Sequence, residues 1–456
     1  MNIYSQNPAT GAKIQAYSLH TPKDCGAALT QCQEAWIHWR KTSLDARKAC
    51  LLKLANKLKE NQEAYARLMA EEMGKPITQG LQELNKCAWV CEYYASHGAD
   101  FLTNIPVKTG ASETIITHQP LGIILAIMPW NFPFWQVLRA AAPALMAGNA
   151  MILKHASNVP GCAQALEALF RGSDFPKNLF TSLLVDIPQT EAIIKDPRIQ
   201  GVTMTGSTQA GRHVAALTGR LLKKTVMELG GSDPYIILED ADLDLAAEAC
   251  ATSRMINAGQ SCIAAKRLIV IEGIRKAFEQ KLIEHLARCT CGDPQLKETN
   301  LGPLARTDLR DALHTQVTQS IEMGAQCLLG GTRPEGPGCF YPATLLTQVK
   351  DPMPAYTEEL FGPVAAVISA QDEAEAISIA NDTPFGLGGA LFTQNTEKGK
   401  RIATESIDAG SCAVNTFVQS DPRLPFGGIK DSGFGRELGQ WGILEFTNTK
   451  SIQIQQ

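Results

Sequence analysis

GIILAIMPWNFPFWQVLRAAAPALMAGNAMILK, Gly122–Lys154, reads as a strand, a helix and a second strand. Gly122–Met128 is an unbroken apolar run of strand length. Phe134–Leu145 is apolar over the length of a helix, and Met151–Lys154 is strand again. Two parallel neighbours need a crossover of this kind. Downstream the rhythm continues with Gly161–Arg171 as helix, Leu179–Val185 as strand, Gln189–Lys195 as helix and Gly201–Thr205 as strand. A second series follows Glu228. Its strands are Tyr235–Leu238, Arg267–Ile271, Val364–Ile368, Gly389–Phe392 and Ser411–Asn415. Its helices are Asp242–Arg254, Ile274–Arg288, Ala374–Asn381 and Lys398–Ser406. The fold class is therefore α/β, two units in tandem with Glu228–Pro234 near their junction. Ligands in such folds bind beyond the carboxyl ends of strands, so chemistry is expected there.

Upstream, Thr21-Pro22-Lys23-Asp24 opens a helix with a capping residue, an early proline and an early acid. Leu51, Leu54 and Leu58 mark a second helix, and a third stops near Gly74-Lys75-Pro76. Glu113–His118 (ETIITH) reads as an exposed strand. The 456 residues are 45% apolar and 19% charged, with ample material for a core. A net charge of −4 argues against a nucleic-acid partner. The thirteen cysteines lack zinc spacing: Cys289 and Cys291 form C-x-C, Cys87 and Cys91 lie one helical turn apart, and neither pair has companions. Free thiols in a reducing compartment and no metal are the simplest expectation. The start is polar and no apolar run spans a bilayer, so a cytoplasmic protein without a membrane partner is expected.

Several strand ends carry reactive side chains. Met255–Lys266, MINAGQSCIAAK, sets Cys262 among small neighbours between a helix and a strand, where backbone amides can approach a developing charge. A cysteine is more often a small buried hydrophobe, so its setting matters. Asn131, in Pro129–Pro133, follows a strand and can donate to an oxyanion; a turn asparagine is the plainer alternative. Lys154 ends a strand, where its cation can meet a nucleotide or simply be solvated. Thr205–Gly211 turns from strand into helix near Thr208, so Gly206, Ser207 and Gly211 offer a phosphate site or an ordinary turn. It is neither a Walker loop nor a G-x-G-x-x-G turn. Glu228 ends a strand before Gly230 and Gly231, and near an apolar cleft it can serve as a base. Glu359 and Phe361 share a loop.

Together Pro129–Pro133, Gly206, Glu228–Gly231, Gly259–Cys262, Glu359–Pro363 and Pro425–Lys430 resemble the ordered motifs of the NAD(P)-dependent aldehyde dehydrogenases, over nearly the whole chain. Leu121–Val137, Leu153–Gln164 and Glu228–Pro234 resemble the bacterial succinate-semialdehyde branch. The resemblance implies NAD or NADP, a small aldehyde substrate and a homodimer or homotetramer. It implies Cys262 as nucleophile, Glu228 as the base that activates water, and Asn131 as oxyanion donor. Trp130, Lys154, Ser157, Gly206, Ser207, Gly211, Glu359 and Phe361 would contact the cofactor, and Arg139 and Ser420 the distal carboxylate of the substrate. From its helix alone, Arg139 reads first as a surface arginine or a structural salt bridge. The implied fold is a Rossmann-like cofactor domain (1–110 and 121–229), an α/β catalytic domain (230–428) and a small β oligomerisation flap (111–120 and 443–456), with 429–442 returning to the cofactor domain.

Three positions depart from the pattern. Ser157 stands where many NAD-preferring relatives have a glutamate, Ile256 where some have a second substrate arginine, and Ala264 where some have a disulfide-forming cysteine. Rival readings are a cysteine hydrolase or acyltransferase, which needs a histidine near Cys262, a coenzyme A-acylating relative, which Glu228 argues against, and a silent binding protein on the same scaffold. Broad-specificity or other semialdehyde oxidation remains the near alternative.

Overall fold

The computed structural model describes residues 2–455. Its first sheet has six strands in the order Gly433–Phe434, Lys224–Glu228, Ile199–Thr205, Ile123–Met128, Ala150–His155, Phe180–Ser182. All neighbours are parallel except the short Gly433–Phe434 edge. From Ile123–Met128 the chain steps one way to Ala150–His155 and Phe180–Ser182, then returns to the other side at Ile199–Thr205. That reversal opens a crevice beyond Met128 and Thr205, the place where open α/β sheets take ligands.

The second sheet has seven strands: Gln326–Leu329, Thr344–Thr347, Val364–Ala370, Arg267–Ile271, Pro234–Ile237, Gly388–Phe392, Ser411–Val414. Each sheet has its own apolar core under flanking helices. A third sheet joins Glu113–Pro120 to Thr447–Ile454 along eight antiparallel pairs, with Ile105–Pro106 at its other edge. Residues 443–445 finish a helix, Gly439–Glu445, before that last strand begins.

The local reasons match the sequence in most places. Thr21 caps the Pro22–Trp39 helix through a capping box with Asp24. Trp135–Met146 is buried at all twelve positions, and Ala140–Ala142 keep it slim enough to lie against other helices. Elements that escape a local reading include the hairpin of Asn2–Gln6 with Lys13–Ser18, the Thr307–Glu322 helix, the strands Gln326–Leu329 and Thr344–Thr347, and the 25-residue Ile77–Phe101 helix. Gly74 does end the Gln62–Met73 helix in a left-handed turn, but Pro76 immediately starts Ile77–Phe101 instead of opening a loop. That helix packs on Trp135–Met146.

All thirteen cysteines are free thiols. Among the described residues no helix is long and apolar enough to cross a membrane, and no cluster of His, Cys, Asp or Glu has the makings of a metal site.

Candidate active site

The Cys262 loop is built on a strained turn. After the Leu243–Met255 helix, Asn257 and Ala258 take left-handed conformations, with φ of 56° and 52°. For residues with a Cβ this costs about 1–3 kcal/mol each, so surrounding contacts must over-determine it. They do. The Asn257 amide donates to Gln79 Oε1 at 2.7 Å, from the Ile77–Phe101 helix. Asn257 Nδ2 donates to the Asn131 carbonyl at 2.7 Å, and Gln260 Oε1 accepts from the Ala305 amide at 2.9 Å. Gly259, at φ 72°, has no room for a side chain, because a Cβ there would collide with the Gly362 carbonyl. Arg254 also donates to the Gly259 carbonyl.

Below the loop lies buried Lys266. Its Nζ donates to the carbonyls of Ser261 (2.9 Å) and Cys262 (2.6 Å) and stands 3.3 Å from Glu359 Oε1. Gly231 passes under the same loop, where a Cβ would meet the Cys262 carbonyl at 2.7 Å. Cys262 itself is half-buried at the wall of a cavity of about 930 Å³. Burial pushes its thiol up to about 12; the cations Lys266 and Arg139 pull it back, while Glu359 and Glu228 push it further up.

Asn131 is 4% exposed and its Nδ2 donates to the Gln260 carbonyl at 3.0 Å. An amide nitrogen carries two hydrogens, so one remains to be donated. Glu228 is the last residue of its strand, paired in register with Thr205 on one side and Gly433 on the other. It is buried, and neither carboxylate oxygen has a hydrogen-bond partner of good geometry. Burial holds it well above the ordinary carboxylate range; Arg139 lowers it and Glu437 raises it further.

The residues expected to contact the cofactor lie on several elements. The Gly206 amide donates to the Glu228 carbonyl (3.0 Å), and Ser207 Oγ caps the Thr208–Arg220 helix by accepting from Ala210. Gly211 is one turn inside that helix, where an added Cβ would collide with Leu229. Glu359 Oε1 accepts from the Gly231 amide at 3.1 Å. Trp130 and Phe361 meet edge to face at 5.9 Å. Lys154 is half-buried near the end of Ala150–His155, and burial lowers its ammonium. Ser157 is exposed on a separate cavity of about 590 Å³, together with Asn7 and Arg306.

Arg139 and Ser420 both line the Cys262 cavity, as does Ile256. Arg139 is 2% exposed, forms an ion pair with Glu437, and lies 4.7 Å above the Phe426 ring. Its NH2 reaches Thr205 Oγ1 at 3.4 Å. Ser420 Oγ accepts from Lys86 Nζ at 2.8 Å. Among the described residues no histidine lines this cavity.

Lys86, Lys266 and Glu437 were not singled out from the sequence. The partners of Lys86 and Glu437 lie hundreds of residues away, so no local pattern marks either. A charged residue four positions after a candidate nucleophile was the one visible signal for Lys266.

The family model described as "Aldehyde dehydrogenase family" matches residues 1–452. A probable succinate-semialdehyde dehydrogenase [NADP(+)] of Synechocystis sp. is 47% identical over 100% of both chains. The succinate semialdehyde dehydrogenase [NAD(P)+] Sad of Escherichia coli (strain K12) is 43% identical over 98% of this chain and 97% of its own. Among solved structures, succinic semialdehyde dehydrogenase from Streptococcus pyogenes in complex with NADP+ superposes at a TM-score of 0.97. It is 36% identical, with 100% of both chains covered. Fold, site geometry and full-length similarity converge: the chain belongs to the aldehyde dehydrogenase family.

Proposed function

We propose that the protein oxidises succinate semialdehyde to succinate with NAD or NADP. The observation that carries this reading is that Cys262 shares one cavity with Arg139 and Ser420. A thiol for the aldehyde carbon and a cationic wall for a distal carboxylate are thereby offered to one small molecule.

The residues of the crevice suit a dinucleotide. The free amides at the start of Thr208–Arg220 suit a pyrophosphate, the Glu359 carboxylate and the Lys154 ammonium suit ribose hydroxyls, and Trp130 and Phe361 flank a flat ring. When bound, NAD or NADP supplies the hydride acceptor. The other steps belong to the chain. The Cys262 thiolate attacks the aldehyde carbon, and the free Asn131 N–H and the Cys262 amide hold the resulting oxyanion. Once the carbon is oxidised to a thioester on Cys262, Glu228 takes a proton from water, which attacks the thioester and releases succinate and the thiol. The absence of a histidine from the cavity favours this over cysteine hydrolysis.

The domain division stated above and assembly into a homodimer or homotetramer are part of the same proposal. The exposed edge of Thr447–Ile454 supports a flap that meets a second copy. Absorbance at 340 nm with succinate semialdehyde, run separately with NAD and NADP, tests the reading. Production of reduced cofactor with butanal but not with the semialdehyde overturns the substrate assignment.

A further inference from the structure

The Cys262 cavity holds a cation that, among the described residues, no carboxylate meets at ion-pair distance. Lys86 projects into it from the Ile77–Phe101 helix, half-buried, with its Nζ 4.5 Å above the Trp135 ring and 2.8 Å from Ser420 Oγ. Two carboxylates share that wall, and both are engaged elsewhere. Glu83 pairs with Lys75 and accepts from the Phe134 and Trp135 amides, each at 2.9 Å. Asp421 is held by the Arg423 guanidinium at 2.9 and 2.6 Å. Arg139, the other cation of the cavity, already has Glu437. Among the described residues Lys86 has no ion-pair partner.

A half-buried ammonium on a cavity wall, with no carboxylate at ion-pair distance, is placed to receive an anionic group that enters the cavity. An ammonium has three hydrogens, and Ser420 takes one, which leaves two directed elsewhere. We propose that Lys86 is the specificity-determining cation, its ammonium together with Ser420 Oγ receiving the distal carboxylate of a short semialdehyde whose carbonyl lies at Cys262. Ile256, an uncharged residue, lines the same cavity, and Lys86 brings a charge to it from the Ile77–Phe101 helix. The inference rests on the semialdehyde reading above.

Burial, then the neighbouring Arg139 charge, lowers the Lys86 ammonium to about 8, with Cys87, Asp421 and Glu83 opposing. The sign follows directly. Lys86 is charged below that pH and neutral above it, so preference for the acid is full below about 8 and fades as pH rises through it.

The test is the ratio of kcat/KM for succinate semialdehyde to kcat/KM for butanal, from pH 6.5 to 9.5, in wild type, Lys86→Met and Lys86→Arg. Using a ratio cancels the titration of groups common to both substrates. Wild type is expected to favour the acid and to lose at least fivefold of that ratio across the range. Lys86→Met is expected to lower the ratio at least tenfold at pH 7 and to flatten its pH course. Lys86→Arg, whose charge does not titrate here, should keep the ratio high at every pH. If wild type shows no preference for the acid, the substrate reading fails and this inference with it. If wild type shows the preference and Lys86→Met retains both ratio and slope, or loses both substrates equally, Lys86 is excluded while the substrate reading stands. Should Lys86→Met fail to fold, the pH course of Lys86→Arg decides: a slope like that of wild type overturns the proposal.

Discussion

Arg139 and Glu437 form a buried ion pair whose charges act on the reactive groups of the site. Arg139 lowers both Glu228 and Cys262, while Glu437 raises Glu228. Glu437→Gln should therefore act in two ways. Leaving a buried guanidinium unpaired should destabilise the fold by about 3–5 kcal/mol, read as a lower midpoint in denaturant. Removing the negative neighbour should also bring Glu228 down, so the pH limb governed by Glu228 moves to lower pH. An unchanged midpoint and an unchanged limb would mean that the pair is dispensable.

Cys262→Ala and Glu228→Gln separate the two halves of the reaction. The first should abolish oxidation, with residual turnover below about a hundredth of wild type, while cofactor binding, followed by fluorescence quenching, persists. The second should give one rapid equivalent of reduced cofactor and then stall, with an acyl adduct on Cys262 visible by mass spectrometry. A normal steady state in Glu228→Gln would transfer the role of base to another group.

Lys266 offers a test of the thiol alone. Its charge opposes the burial of Cys262 more strongly than any other, and its Nζ also holds the Cys262 carbonyl. Lys266→Met should raise the thiol further, so alkylation by iodoacetamide needs a higher pH for the same rate. Because the attacking species is the thiolate, the sign is fixed. A profile superposable on that of wild type would show that Lys266 orients the loop without tuning the sulfur.

Ser157 addresses cofactor choice. A neutral side chain leaves a 2′-phosphate unopposed, so measurable NADP turnover is expected. Ser157→Glu should raise the KM for NADP several-fold more than that for NAD. Equal effects, or none, would agree with Ser157 facing the smaller cavity near Asn7 and Arg306 instead of the ribose.

What could be read from the sequence follows from how local its causes are. Gly122–Met128 was legible as a strand because an unbroken apolar run is itself the cause of two-sided burial, and the structure has Ile123–Met128. Cys262, Asn131 and Glu228 stand out because each sits at a strand end or tight turn, and their proposed roles come from the family resemblance. Ile77–Phe101 was missed because Gly74 and Pro76 punctuate the chain, and punctuation does not say whether loop or helix follows. Lys86 and Glu437 draw their meaning from Ser420 and Arg139, which come near only when the chain is folded. Pairing at that range leaves no periodic trace.

The hydrogen bonds from Asn131 to Gln260 and from Asn257 to Asn131 tie the half carrying the amide to the half carrying the sulfur. For an engineer this makes the molecule poorly modular. A chimera that takes one sheet from this chain and the other from a relative must carry Asn131, Asn257 and Gln260 across as a matched set, or the seam will not close. Ser157 makes none of those hydrogen bonds, so Ser157→Glu can be tested without recutting the joint.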